Sequence, residues 1–120
     1  TIIGCGVMVA RALDAAEQLE ELGVSARVVN MSTIKPIDSE LIIKCAAETQ
    51  GIVTAEDHNI LGGLGSAVAE VLVKNRPVPM ELIGVKDSFG ESGEPPELAK
   101  KYGIDADGII HGVRRLLERV

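Results

Sequence analysis

Apolar residues change their spacing several times along this chain, and each change marks an element. Thr1 to Ile3 is a short apolar run that stops at Gly4-Cys5-Gly6 and predicts a strand. From about Val7 to Leu22, Met8, Ala12, Ala15, Leu19 and Leu22 recur at intervals of four and three, the stripe of an amphipathic helix. Arg11, Asp14, Gln18 and Glu21 lie largely off that stripe, and Gly23 suits the left-handed residue that ends a helix. A Val-rich run from about Ser25 to Met31 predicts a second strand. Pro36 holds Lys35 out of helical space, so residues 32–37 read as a loop. Asp38 is a good cap for a helix of about Ser39 to Thr49, with Leu41, Ile42, Cys45 and Ala46 inward. Ile52 to Ala55 predicts a third strand. A helix of about Gly65 to Asn75 follows, with Leu64, Val68, Val71 and Leu72 inward. Pro77 and Pro79 break that helix, and Met80 to Val85 predicts a fourth strand. Pro95 and Pro96 suit the first turn of a short helix of about Pro95 to Tyr102. Asp105 caps a last helix striped by Ile109, Ile110, Val113, Leu116, Leu117 and Val120.

Strands alternating with helices imply an α/β fold, a mostly parallel sheet between two helix layers. Right-handed crossovers then place helices on both faces if the winding reverses once. The order expected for the visible strands is 2-1-3-4, with the switch point between the first and the third. The length of 120 residues fits one domain, residues 1–120. Because the chain opens part-way into an apolar run, without Met, it reads as a fragment of a longer chain or as one subunit of a split enzyme.

That topology brings Gly4-Cys5-Gly6 and Glu56-Asp57-His58 to one crevice at the carboxyl edge of the sheet. Gly62-Gly63-Leu64-Gly65 then opens a helix, whose first amides can hold an anion. The candidate site is therefore Gly4, Cys5, Gly6, Glu56, Asp57, His58, Gly62, Gly63 and Gly65, as a domain or subunit contact, as hydrogen bonds from the Glu56–His58 stretch to the glycine loop, or as an anion site. Acid-base or metal chemistry is weakly supported. Successive residues of a strand face opposite ways, which separates Glu56 from Asp57, and one histidine makes no metal site. The P-loop pairing of Lys with Ser or Thr is absent, and Gly4-x-Gly6-x-x-Val9 lacks the third small residue of a dinucleotide fingerprint. A receiver-like signalling domain would need carboxylates after the first strand, where Gly4-Cys5-Gly6 stands. Cys5 lies beside a helix start that can lower a thiol pKa, but no partner base is identifiable and packing is the simpler role.

Composition narrows the partners. A net charge of −6 argues against nucleic acid, which needs a concentrated basic surface. Arg114, Arg115 and Arg119 lie on the last helix, where they read as a solvated face near the favourable end of the dipole. No apolar run approaches the roughly 20 residues of a membrane span. Two cysteines, Cys5 and Cys45, make no disulfide framework in a domain of this size and fit a reducing, cytoplasmic setting. No basic region followed by a cleavage site opens the chain.

Four pieces in order carry a resemblance: Ile34-Lys35-Pro36-Ile37-Asp38; Glu56-Asp57-His58 with Gly62-Gly63-Leu64-Gly65; Phe89-Gly90-Glu91-Ser92-Gly93 with Pro96-Glu97-Leu98; and Tyr102-Gly103-Ile104-Asp105. With them, nearly the whole chain resembles the C-terminal domain of transketolase, a thiamine-diphosphate enzyme of sugar-phosphate metabolism. The glycine-rich crossing is shared with deoxyxylulose-phosphate synthases and with beta-type subunits of 2-oxo-acid dehydrogenases. The Ser-Gly-x-Pro-Pro-Glu-Leu segment favours transketolase. The resemblance implies a three-layer α/β/α domain with an extra antiparallel strand upstream. It also implies that upstream domains, or a separate N-terminal subunit, hold the thiamine diphosphate and Mg2+ and supply the catalytic residues. This domain would then bind no cofactor and would contribute packing and homodimer surface to an enzyme that moves two-carbon ketol units. The residue-level alternative is a regulatory anion or nucleotide module built on the crevice.

Overall fold

In a computed structural model, residues 1–31, 36–59, 63–85 and 104–120 are described, with the backbone only at 58, 59 and 85. The elements are β1 (Ile2–Gly4), α1 (Met8–Glu21), β2 (Val28–Asn30), α2 (Ser39–Glu48), β3 (Ile52–Asn59), α3 (Leu64–Asn75), β4 (Met80–Val85) and α4 (Ala106–Leu117). All strand pairs are parallel and the order is β2-β1-β3-β4, as expected from the alternation of strands and helices. The short helix expected at Pro95–Tyr102 lies outside the described residues, as do Gly62 and the whole of the third quoted piece.

A parallel sheet buries both faces, so its strands must be apolar on both sides. Here Ile2, Val53, Ala55 and Ile83 meet α1 and α4 on one face. Ile3, Val29 and Ile52 meet α2 and α3 on the other. The alternation along β1 and β3 thus divides the core into two layers. Each helix docks through the stripe its sequence carries: Met8, Ala12, Ala15 and Leu19 in α1, and Ile109, Ile110, Val113 and Leu116 in α4.

The ends of the stripes depart from expectation. Leu22 is 62% exposed and Val120 60% exposed, because each lies past the last full turn that faces the sheet. Gly23 does take the left-handed conformation, with φ +83°. Asp38 accepts from the Leu41 amide at 3.1 Å and Asp105 from the Gly108 amide at 2.9 Å, so both caps form where the sequence places them. Arg115 and Arg119 are not simply solvated, since both reach Glu81 on β4, at 3.7 and 3.1 Å.

Two strands differ in length from expectation. β2 has three residues rather than seven. β3 runs on past Ala55 to Asn59, which puts Glu56, Asp57 and His58 on the strand itself. Its pairing with β4 is in step from Ile52↔Met80 to Ala55↔Ile83, then slips to Asn59↔Val85. The stretch from Glu56 to His58 therefore lies in a bulge at the carboxyl edge, a common device for re-aiming side chains.

Candidate functional site

Parallel pairing sets Gly4 of β1 between Asn30 of β2 and Ala55 of β3. One residue further on, Cys5 stands at the same edge as Glu56. The chain then turns through Gly6, whose φ of +58° favours glycine, into α1. Gly4, Cys5 and Gly6 are thus brought to the same edge as the Glu56–His58 stretch.

Glu56 is the dominant feature of this edge. It is 1% exposed, on the α3 side of β3 shared with Ile52 and Thr54. A buried carboxylate needs compensating donors. Glu56 finds them in the first turn of α3, where its Oε2 accepts from the Leu64 amide at 2.8 Å and its Oε1 from the Gly65 amide at 3.0 Å. These are amides that a helix start leaves unpaired, at the positive end of its dipole. The N-cap position is Gly63, which has no side chain with which to cap, so the Glu56 carboxylate, eight residues before Leu64, does that work.

The glycines now have a steric reason. A Cβ on Gly63 would run into the Glu56 carboxylate, with Cδ at 2.9 Å. A Cβ on Gly65 would stand 2.6 Å from the Leu82 side chain and 3.0 Å from Thr54 Oγ1. The glycine-rich start makes room for side chains of the sheet. At this helix start the Leu64 and Gly65 amides are paired with Glu56, an anion supplied by the chain itself.

Asp57, the next residue, is exposed, so the two carboxylates do not converge. Cys5 is half-buried, and burial pushes its thiol up, with the nearby charges of Glu56 and Asp57 adding to the shift. An upward shift is the opposite of what activates a cysteine as a nucleophile. Among the described residues no group of three or more His, Cys, Asp and Glu gathers as a metal would require. No helix among the described residues is long and apolar enough to cross a membrane.

Sequence reasoning missed Thr54; it offered hydrogen bonds from the Glu56–His58 stretch to the glycine loop as one reading, without singling out Glu56 as the cap of α3. Thr54 is fully buried, and its hydroxyl has no hydrogen-bond partner among the described residues. The available signal for Glu56 was the glycine at the cap position of α3. A glycine there, with no Ser, Thr, Asp or Asn, leaves the donors to a more distant acceptor. At the opposite edge of the sheet a concavity of about 530 Å³ runs past Arg27, Glu48 and Leu116, where Arg27 and Glu48 pair at 2.9 Å.

The family model for the C-terminal domain of transketolase matches residues 1–109. This chain belongs to that family. A 6-deoxy-6-sulfo-D-fructose transketolase subunit from Clostridium sp. (strain MSTE9) is 45% identical over 99% of the chain and 37% of its own length. A putative transketolase C-terminal section from Methanocaldococcus jannaschii is 48% identical over the full chain and 36% of its own length. The transketolase-type domain thus spans little more than a third of these relatives. A solved structure described as a split gene transketolase, inactive beta4 tetramer, superposes with a TM-score of 0.94 at 49% identity, covering 98% of this chain and 38% of that one. The similarity also reaches a 1-deoxy-D-xylulose-5-phosphate synthase of Geobacter sulfurreducens, 43% identical over 97% of the chain and 18% of its own length.

Proposed function

We propose that this domain is the non-catalytic C-terminal part of a transketolase and supports dimer assembly of an enzyme that transfers two-carbon ketol units between sugar phosphates. The observation that carries the reading is the near-complete match to sections and subunits of split transketolases. The edge of the sheet agrees with it, because Glu56 spends its carboxylate on the start of α3 and Cys5 is held as a thiol. Thiamine diphosphate and Mg2+ belong, in this reading, to upstream domains or to a separate N-terminal subunit. Cys5, Gly6 and Asp57 then offer a contact surface at the carboxyl edge, in a cytoplasmic enzyme. The relative described as an inactive tetramer of beta subunits supports the expectation that such a section alone does not turn over.

The test compares this chain alone with the chain combined with its catalytic section. The chain alone is expected to give no ketol transfer and no thiamine-diphosphate heat in calorimetry. The combination is expected to sediment as a dimer of the combined sections and to turn over. Turnover by the 120-residue chain alone would overturn the proposal. A second reading, the equivalent domain of a deoxyxylulose-phosphate synthase, is favoured by the Geobacter relative. It requires the combined enzyme to make 1-deoxy-D-xylulose 5-phosphate, whereas the first reading requires ketol transfer between sugar phosphates.

A further inference from the structure

Two neighbours on one face of β3 meet the start of α3, and only one of them is paired. Glu56 takes the Leu64 and Gly65 amides. Thr54, two residues earlier, is 0% exposed and its Oγ1 has no partner among the described residues. That oxygen faces the same helix turn, because a Cβ on Gly65 would stand 3.0 Å from it. Unpaired buried hydroxyls are rare, and each marks a donor whose acceptor is missing. The turn therefore offers two amides held by a carboxylate and, packed against Gly65, a buried hydroxyl with no partner among the described residues.

We propose that the start of α3 is a small-carboxylate binding site whose resident ligand is the chain's own Glu56, with the Thr54 hydroxyl as a donor that this tethered ligand leaves unused. The donors belong to the helix and to Thr54, so they persist when Glu56 is removed. Replacing Glu56 by Ala deletes one methylene and the carboxylate, which is the size of an acetate ion. Free acetate has no tether to the strand, so its position is set by the donors alone. The inference does not depend on which reaction the parent enzyme performs.

The test uses the whole protein, with its other domains or subunits, and follows the unfolding midpoint of this domain. Glu56→Ala is expected to lower the midpoint, and acetate to restore it along a saturating curve that chloride at equal ionic strength does not produce. Glu56→Gln fills the space and is expected to show no acetate response. Glu56→Ala combined with Thr54→Val is expected to weaken the apparent acetate affinity several-fold. If Glu56→Ala fails to fold, the same comparison is read as refolding yield with acetate against chloride. Equal effects of acetate and chloride, or the same acetate response in the unmodified protein, would overturn the site. Phosphate acting as strongly as acetate would overturn the assignment to small carboxylates. An acetate affinity indifferent to Thr54→Val would remove the hydroxyl from it.

Discussion

Glu56 and Gly63 are separated in sequence and inseparable in space. The carboxylate can reach the helix amides only because position 63 lacks a side chain. Gly63→Ala is expected to cost about 1–3 kcal/mol through the clash it forces, read from urea unfolding of the domain. A midpoint equal to the unmodified protein's would show that the carboxylate can retreat without loss. Cys5 gives a second prediction at this scale. Its thiol lies above the ordinary range, so the thiolate fraction near neutral pH is smaller than that of a free cysteine. Alkylation is expected to be slow near neutrality and to rise with pH, with an inflection above that of a small-molecule thiol. An inflection at or below the free-thiol value would contradict the acidic surroundings. The sequence did separate Glu56 from Asp57, because strand alternation is a backbone property. It did not single out Glu56 as the cap of α3, because the amides it holds lie eight and nine residues away in sequence.

Elements were legible wherever one local period ran long enough to bury a whole face. The helices α1, α2, α3 and α4 carry such stripes, and the caps at Asp38 and Asp105 follow from local chemistry. Strand ends were not legible in the same way. β3 extends through Glu56 because the charge there is met by helix amides, a tertiary event that overrides the polar residue's local preference. β2 is shorter than its Val-rich run, since only Val28 to Asn30 align with β1. The start of α4 is the element most dependent on named contacts: Asp105 caps it and Arg11 donates to the Ile104 carbonyl at 2.8 Å. Asp105→Ala is expected to cost about 1 kcal/mol. For a domain of this size that is a fall of about 4 °C in the thermal midpoint. A change too small to measure would mean that Arg11 alone fixes that end.

Across the whole molecule, β3 is the central load of the sheet, paired on both sides and buried against helices on both faces. Ile52, fully buried on the α2–α3 side, is a sensitive probe of that arrangement. Ile52→Ala is expected to destabilise the domain by about 2–5 kcal/mol. Under the proposed function, the same substitution leaves thiamine-diphosphate affinity of the assembled enzyme unchanged at temperatures where the domain stays folded. Calorimetry that found weaker cofactor binding under those conditions would place this domain closer to the chemistry than proposed. The strand order and the position of the switch point were legible at this scale, because alternation, handedness and one reversal leave few arrangements open.

The clasp between Glu56 and the start of α3 also bears on how the two elements depend on each other. It consists of two charge-assisted bonds, worth about 1.5–3 kcal/mol each. Loosening β3 withdraws the carboxylate from α3, and fraying the start of α3 leaves a buried charge on β3 without its donors. Damage to either element is therefore transmitted to the other.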